Sequence, residues 1–255
     1  MQAKKRFGQN FLQDPGIIAQ IIDAIRPQTH QMLVEIGPGR GALTEHLARG
    51  HQPFSVIELD RDLIPGLRQK LPDSVNIIEA DVLKYDFSHF SMPLFVVGNL
   101  PYNISTPLLF KLFEQTPKPE RMIFMLQREV VNRLVANPGS KAYGRLSVMA
   151  QYHCGVTKVL DVPANAFNPA PKVDSAVVEL QPHRTQVHDT TEPKLLSEVL
   201  VSAFGKRRKT LRNALSHLIT AEELSSMDID PTLRAEALTV KQFIDCANFL
   251  RASRQ

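Results

Sequence analysis

The sequence predicts an α/β protein, with a mainly parallel sheet of seven strands and helices on both faces, followed by a small all-helical domain. Short apolar segments alternate with helical patterns over the first ~180 residues, as strand–helix–strand units require. After a polar, turn-like stretch at 181–192 the pattern is helical only. Of 255 residues, 43% are hydrophobic and 22% charged, which is ordinary for a globular chain and excludes wholesale disorder.

The first elements follow from apolar spacing and from helix-start residues. A helix is predicted at 15–26, where Asp14 can cap the helix, Pro15 suits its first turn and isoleucines recur at helical spacing. Strands are predicted at 32–36, 54–59, 75–78 and 94–98, with helices at 43–49 and 63–71 between the first three.

The rest of the sheet and the C-terminal helices follow in the same way. Strands are predicted at 121–126, 155–162 and 175–180, the last two as a hairpin joined by a proline-rich loop, with helices at 106–113, 127–136 and 146–152. Beyond the linker, helices are predicted at 195–203 and 210–218. A third is predicted from a capping box that begins at Thr220, and a last one at 242–251, capped from Thr239. We therefore predict a domain at 1–181 and a helical domain at 182–255.

Composition also limits the class of protein. No apolar run approaches the ~18 residues of a membrane span, and no apolar stretch of signal-peptide type follows the basic start. Two separate cysteines, Cys154 and Cys246, are too few for a disulfide framework or a zinc site. We expect a soluble cytoplasmic protein without a membrane partner, and a monomer because no long apolar seam is present.

A glycine-rich segment follows the first predicted strand. Residues 34–41 read V-E-I-G-P-G-R-G, and glycines there let the backbone turn sharply and approach a ligand closely. The spacing is G-x-G-x-G rather than the G-x-G-x-x-G of dinucleotide folds, so a nucleoside without pyrophosphate, such as S-adenosylmethionine, is favoured. A purely structural turn is the alternative explanation of the glycines alone.

Acidic residues at the next two strand ends favour the ligand interpretation. Glu58 ends the second strand, where a carboxylate can accept hydrogen bonds from both ribose hydroxyls of a nucleoside. Asp81 follows the third strand, where it can accept from an adenine amine. Together with Gly37 they indicate a methyltransferase rather than a dehydrogenase, although either acid alone fits a surface charge or a helix cap.

The segment Asn99-Leu100-Pro101-Tyr102 after the fourth strand indicates the reaction. An adenine amine is a poor nucleophile, and acceptors aimed at its hydrogens favour its nucleophilic form. The Asn99 side-chain oxygen and the Leu100 carbonyl, on a loop stiffened by Pro101, can be those acceptors. Tyr102 can stack on the base, and Phe167, in the loop F-N-P-A-P-K-V-D-S at 167–175, can cover its other face. The alternative for Phe167 is a plug of the core below a rigid loop.

Basic residues form two clusters that suit phosphate binding or, equally, a solvated face. The net charge of +4 is a weak indication of nucleic acid by itself. The clusters are Lys4, Lys5 and Arg6, and Lys206, Arg207, Arg208 and Lys209. Lys111, Arg128, Arg133 and Arg145 are further candidates, with the same alternative. The eight histidines show no metal-ligand spacing.

On these motifs the chain resembles the rRNA adenine dimethyltransferases, most closely their bacterial small-subunit type. The matching segments are 5–12, 98–107, 125–134, 141–148 and 167–175, so the resemblance covers essentially the whole chain. It implies a Rossmann-like class I methyltransferase fold with a helical RNA-recognition domain and no metal. It also implies transfer of two methyl groups from S-adenosylmethionine to N6 of each of two adjacent adenosines, in the 3′-terminal hairpin loop of 16S rRNA within a 30S assembly intermediate.

The resemblance further implies the roles of single residues. Asn10, Leu12, Gly37, Glu58, Asp81 and Asn99 would surround the cofactor, and Asn99, Leu100, Pro101, Tyr102 and Phe167 would take the target base. Three alternatives stay open: a methyltransferase of large-subunit rRNA, a DNA adenine methylase, which typically shows D-P-P-Y instead of N-L-P-Y, and a non-catalytic RNA-binding assembly factor.

Overall fold

A computed structural model describes residues 9–183, 192–206 and 208–254. Its strands are β1 (Phe11–Leu12), β2 (Met32–Ile36), β3 (Phe54–Glu58), β4 (Asn76–Glu79), β5 (Leu94–Asn99), β6 (Arg121–Gln127), β7 (Cys154–Val162), β8 (Phe167–Asn168) and β9 (Ser175–Pro182). Its α-helices are α1 (Pro15–Ile25), α2 (Thr44–Gly50), α3 (Ile64–Lys70), α4 (Ser105–Glu114), α5 (Arg128–Leu134), α6 (Arg145–His153), α7 (Pro193–Gly205), α8 (Leu211–Ala214), α9 (Ala221–Ser226) and α10 (Val240–Ser253).

Seven strands form one sheet in the order β4-β3-β2-β5-β6-β9-β7. β2 pairs in parallel with β3 and β5, β3 with β4, and β5 with β6, whereas β9 is antiparallel to β6. The seven strands predicted from the sequence are confirmed, with ends that differ by at most two residues. The two-residue strands β1 and β8, which pair with each other, were not predicted because two residues carry no periodicity.

The central strands are mostly apolar and almost entirely buried because both faces of the sheet are covered. All five residues of β3 are buried, as are four of five in β2 and five of six in β5. From β2 the chain builds outward through β3 and β4, then returns to β5 and β6 on the other side. Ligands of open α/β sheets bind at the carboxyl ends of the strands at such a reversal. The fold therefore places a site between the ends of β2 and β5.

Helix α1 begins as predicted. The Asp14 carboxylate accepts a hydrogen bond from the Ile17 backbone amide (2.9 Å), and Pro15 occupies the first turn. Ile21 and Ile25 are buried beside Leu33 and Phe54 of the sheet in one hydrophobic cluster. The helix thus covers one face of the sheet directly after the N-terminal segment.

The chain divides into two compact units that interleave along the sequence. One comprises Met1–Val131 and Thr157–Pro182, the other Asn132–Val156 and His183–Gln255. The predicted single boundary at 181/182 differs from this division in residues 132–156, which group with the C-terminal helices because α6 packs against α7 and α10. Most of the predicted linker, residues 184–191, lies outside the described residues.

The second unit has its own helical core. Phe204 of α7 packs against Phe243 of α10 (ring centroids 5.5 Å apart) and against Tyr143 (6.2 Å). The predicted capping residues Thr220 and Thr239 each form a capping box, with Glu223 and Gln242 respectively. The helix predicted at 210–218 is shorter than expected.

That helix, α8, ends at Ala214, and turn hydrogen bonds to the Leu215 carbonyl follow it. Within the described residues no helix combines the length and apolarity needed to cross a membrane. Cys154 and Cys246 are both buried.

Candidate functional site

One cavity of about 340 Å³ lies at the carboxyl ends of β2, β3 and β5, entirely within the first unit. Its volume lies in the range of small-molecule sites. The residues predicted from the sequence that line it are Asn10, Leu12, Gly37, Glu58, Asp81, Asn99, Leu100, Pro101 and Tyr102. The fold therefore brings five predicted segments, which are far apart in the chain, to one place.

The glycine-rich loop turns back over the end of the sheet. Gly37 and Gly39 have φ angles of 66° and 58°, a left-handed conformation that glycine adopts without strain. The Gly37 amide donates to the Ile57 carbonyl (2.9 Å), and the Gly39 amide donates to the Glu58 carboxylate (3.2 Å). A Cβ atom at Gly39 would lie 3.2 Å from the Phe11 ring, so this glycine also lets the N-terminal segment approach the loop.

Glu58 is held in place by main-chain donors. One carboxylate oxygen accepts from Gly39 and the other from the Asp60 amide (2.8 Å), and the residue is only 6% exposed. Burial raises the pKa of Glu58, and the two amide donors oppose that rise. A carboxylate has about four acceptor positions, so these main-chain donors do not exhaust its capacity to accept from hydroxyl groups of a ligand.

Asp81 begins a tight turn after β4. Its carboxylate accepts from the Leu83 amide (3.0 Å), and its carbonyl accepts from the amides of Lys84 and Tyr85. Leu59, which follows Glu58, lines the same cavity and is 51% exposed. An apolar side chain beside two carboxylates suits a nucleoside, whose base needs a nonpolar contact and whose sugar needs acceptors.

Asn99 is the last residue of β5, and its amide has a defined orientation. The Asn99 Nδ2 donates to the Asn10 carbonyl (3.2 Å), which leaves Oδ1 as the polar atom of the amide that can accept from a ligand. Leu100 is buried, and its amide donates to the Met125 carbonyl of the neighbouring strand. The loop is thus fixed from two sides.

Tyr102 is half-buried on that loop. Its hydroxyl forms a hydrogen bond with the Ser175 hydroxyl at the start of β9 (2.9 Å), and its carbonyl accepts from the Ser105 hydroxyl. Burial raises the pKa of Tyr102, so the phenol stays neutral at physiological pH. The anchored ring offers a fixed face to a planar ligand.

Phe167, the remaining predicted base contact, does not line the cavity. It is 5% exposed and packs in the hydrophobic cluster with Leu12, Ile21 and Val177. Its strand β8 pairs with β1, which places Leu12 opposite Phe167. In this structure the side chain fills the core below the loop, the alternative that the sequence had left open.

The N-terminal segment forms a wall that spacing alone could not have predicted. Gln9 donates to the Asp60 carboxylate (2.9 Å), and the Arg40 guanidinium lies 4.2 Å from the centre of the Phe11 ring. Asn10 and Leu12 entered the prediction only through the family resemblance. No local pattern shows that a short extended segment returns across a sheet edge.

Glu35 is a second buried carboxyl group, to which the sequence assigned no role. It lies within β2, is 2% exposed, and its Oε2 atom has no hydrogen-bond partner among the described residues. Burial raises the pKa of Glu35 to about 8; Thr44 opposes this rise and the charge of Glu58 adds to it. The signal that could have found it is a glutamate inside an otherwise apolar strand.

The predicted basic residues are described only in part. Lys206, Arg208 and Lys209 are exposed around a turn that follows α7, whereas Lys4, Lys5, Arg6 and Arg207 lie outside the described residues.

Three of the further candidates are engaged within the protein, among them Arg145, which donates to the Ser197 hydroxyl (3.2 Å). Arg128 forms an ion pair with Asp174 (2.9 Å), and the Lys111 ammonium contacts main-chain carbonyls. For Lys111 this contradicts the expectation of either a phosphate contact or a solvated charge.

The site fits a nucleoside cofactor better than a metal ion. Glu58 keeps acceptor capacity inside the cavity, and the positive φ angles of Gly37 and Gly39 turn the glycine loop back over the end of the sheet. No group of three or more histidine, cysteine, aspartate or glutamate side chains suited to a metal occurs within 9–183, 192–206 and 208–254. The arrangement suits a reaction in which hydrogen-bond acceptors orient a planar amine beside a bound nucleoside.

Comparisons with known proteins agree with this chemistry. A family model described as ribosomal RNA adenine dimethylase matches residues 1–252. "Ribosomal RNA small subunit methyltransferase A" of Erwinia tasmaniensis is 54% identical, over 99% of this chain and 95% of that protein. The protein of the same name from Photobacterium profundum is 53% identical, over 100% of this chain and 96% of that protein.

Solved structures show the same fold. A dimethyladenosine transferase from Plasmodium falciparum superposes with a TM-score of 0.85 at 26% identity, covering 96% of this chain and 98% of that one. The 23S rRNA methyltransferase ErmE superposes with a TM-score of 0.75 at 24% identity, covering 95% of this chain and 100% of that one. The Rossmann-like fold predicted from the sequence is therefore confirmed.

Proposed function

Because the chain belongs to the ribosomal RNA adenine dimethylase family, we propose that it dimethylates N6 of two adjacent adenosines in the 3′-terminal hairpin loop of 16S rRNA, using S-adenosylmethionine. One observation carries the proposal: Asn99, with Oδ1 left to accept, lines the same cavity as the nucleoside acceptor Glu58. The substrate would be a 30S assembly intermediate, and the enzyme a cytoplasmic monomer.

The cofactor is held by residues from four segments in this proposal. Glu58 accepts from the ribose hydroxyls through its remaining acceptor capacity, and Asp81 accepts from the adenine amine. Gly37 leaves space for the cofactor, while Asn10 and Leu12 close the cavity from the N-terminal side. When bound, S-adenosylmethionine supplies a methyl group made electrophilic by its positively charged sulfur.

Asn99 and Leu100 prepare the target amine. The lone pair of an adenine amine is delocalised into the ring, and hydrogen bonds from both amine hydrogens to Asn99 Oδ1 and the Leu100 carbonyl favour the pyramidal, nucleophilic form. Pro101 stiffens the loop that carries both acceptors, and the Asn10 carbonyl prevents the Asn99 amide from turning. No strong base is required, because the nitrogen becomes cationic on methylation and then loses its proton readily.

Tyr102 supplies a stacking surface for the target base. Stacking on an aromatic ring contributes about 1–3 kcal/mol per base, and the Ser175 hydrogen bond fixes the ring for it. A stacking role for Phe167 stays a prediction, and it requires the ring to leave its buried position.

Two methyl groups on one nitrogen demand a pocket that also accepts the monomethylated amine. That amine has a single hydrogen, so either Asn99 or the Leu100 carbonyl loses its partner in the second step. We therefore expect the second transfer to be the less tightly positioned of the two.

The basic residues provide contacts to RNA phosphates in this proposal. Lys206, Arg208 and Lys209 are exposed on the second unit, and none of them forms an ion pair among the described residues. Arg207 and the cluster Lys4–Arg6 would add to the same electrostatic attraction. The first unit would then carry catalysis and the second would recognise RNA.

The test is methyl transfer from labelled S-adenosylmethionine to under-methylated 30S subunits, with 50S subunits and naked duplex DNA as controls. The nucleic acid is digested and its adenosines are resolved. Dimethyladenosine from the 30S sample alone supports the proposal. Label on 50S RNA or on DNA overturns the substrate while keeping the chemistry, and no label with cofactor still bound favours an assembly factor without catalysis.

A further inference from the structure

The Lys111 side chain, on helix α4, is bound to the main chain of another segment. Its ammonium nitrogen lies 3.1 Å from the Val82 carbonyl oxygen, 3.0 Å from that of Leu83 and 2.5 Å from that of Tyr85. A lysine ammonium has three N–H donors. All three are therefore used on one short stretch of backbone.

The segment that Lys111 holds is the turn that begins at Asp81. Within the turn, the Asp81 carboxylate and carbonyl accept from the amides of residues 83, 84 and 85. The turn thus satisfies its own donors, and Lys111 satisfies three of its carbonyls. Asp81 and Val82 line the cavity, so the position of this turn determines one wall of the cofactor site.

The surroundings of Lys111 act on its ammonium in opposite directions. Burial lowers the pKa of Lys111, and the Asp81 and Asp86 carboxylates oppose that shift. The ammonium also lies 5.6 Å from the centre of the Phe87 ring, within reach of a cation–π interaction.

Helix α4 gives Lys111 a rigid base. The helix follows the loop of Asn99 and Tyr102 directly, and its apolar face is buried through Leu108, Leu109 and Leu112. A side chain on this helix therefore connects the catalytic loop to the Asp81 turn. A lysine suits the task because its compact ammonium directs three donors at one cluster of acceptors, whereas the planar arginine fork does not.

We propose that Lys111 is a positioning residue of the cofactor site: it holds the turn at residues 81–85 so that Asp81 and Val82 keep their places against the nucleoside. This inference rests on the proposed function, which assigns Asp81 to the nucleoside part of S-adenosylmethionine. Lys111 itself does not line the cavity, so it acts through the turn.

The role has a distinct signature in ligand binding. S-adenosylmethionine, S-adenosylhomocysteine and adenosine share the nucleoside, so displacement of the turn weakens all three by a similar factor. We expect about a tenfold or larger rise in Kd for Lys111→Met, the scale of a hydrogen bond to a charged group. Turnover at saturating S-adenosylmethionine should stay within about twofold, because Asn99 is fixed separately by Asn10 and β5.

The experiment is calorimetric titration of the full chain with S-adenosylhomocysteine and with adenosine, for the wild type, Lys111→Met and Lys111→Arg. Lys118→Met is the matched control, since this exposed lysine lies just beyond α4 and away from the cavity. Lys111→Arg keeps the charge but not the geometry of the three donors. Circular dichroism shows whether Lys111→Met folds. If it does not, Lys111→Arg is the variant on which the proposal is tested.

Parallel weakening of both ligands in the two Lys111 variants, with Lys118→Met unchanged, supports the proposal. Wild-type affinity in Lys111→Met refutes it, as does a fall in turnover at saturating cofactor with unchanged Kd. Wild-type affinity in Lys111→Arg also refutes it, since charge alone would then suffice. If the wild type binds neither ligand, the proposed function itself fails, which is distinguishable from a failure confined to the variants.

Discussion

Replacing Glu35 with glutamine should stabilise the free protein, and the gain should grow with pH. The buried carboxyl has a pKa of about 8 in the folded chain against an ordinary value of 4.5, because burial disfavours its charge. Below pH 4.5 the group is neutral in both states and costs nothing. As pH rises from 4.5 to 8, the group ionises in the unfolded state but stays neutral in the folded state, so the free energy of unfolding falls.

The size of the effect follows from the two pKa values. Between pH 4.5 and 8 each pH unit costs the wild type about 1.4 kcal/mol, so the free energy of unfolding at pH 7 is lowered by about 3 kcal/mol. The cost levels off near 5 kcal/mol above pH 8. Glutamine resembles the neutral acid and does not titrate, so Glu35→Gln should escape this cost.

The assay is urea unfolding of both proteins from pH 5 to pH 9 without cofactor, followed by circular dichroism. Other groups titrate equally in the two proteins, so their difference in unfolding free energy isolates Glu35. We expect that difference to be below about 1 kcal/mol at pH 5 and to reach about 3 kcal/mol at pH 7. Exposed Glu222→Gln is the control and should show a nearly constant difference. A flat difference for Glu35→Gln would refute the neutral, buried carboxyl.

Three further predictions concern catalysis, packing and RNA binding. Asn99→Ala removes an acceptor of the target amine, so turnover should fall about 10²–10³-fold. The Kd of S-adenosylhomocysteine should stay largely unchanged. Near-normal turnover would contradict the acceptor role. Gly98→Ala places a Cβ 2.4 Å from the Ile36 carbonyl oxygen of the paired strand, and urea unfolding should show a destabilisation of about 1–3 kcal/mol; an unchanged midpoint would argue against this tight approach. Neutralising Lys206–Lys209 should make the slope of log affinity for 16S rRNA against log salt concentration less steep. The slope should change by about 0.7–0.9 for each phosphate that the protein no longer neutralises. An unchanged slope would exclude a role of these residues in phosphate binding.

The sheet could be predicted from the sequence because buried parallel strands are apolar segments in a fixed alternation with helices. The strand predicted at 32–36 is β2 without change, and the Asp14, Thr220 and Thr239 caps form as expected. Caps are local, since donor and acceptor are three residues apart. The helix predicted at 210–218 is present only in its first part, as α8. The buried residues after Ala214 belong to a turn, and apolar spacing alone does not distinguish a turn from a helix.

The site could be predicted where motifs stand at strand ends. Gly37, Glu58, Asp81 and Asn99 follow successive strands of one sheet, and the topology of parallel strands brings their carboxyl ends together. Residue chemistry at each end then indicated a nucleoside and an adenine amine. Assignment to 16S rRNA needed the family resemblance, because spacing contains no information on which nucleic acid enters.

The sequence by itself determined which motif stands at the end of each successive strand and which kinds of side chain lie at the sheet edge. Both depend on local patterns. Only the tertiary structure decided which way those side chains are held. The Asn99 amide is oriented by the carbonyl of Asn10, 89 residues earlier, and Phe167 is buried through pairing of β8 with β1. Lys111 is likewise committed to carbonyls 26 to 29 residues away. Such contacts join segments that are far apart in the chain, and no repeating pattern in the sequence relates those segments. The contacts therefore exist only once the chain has folded.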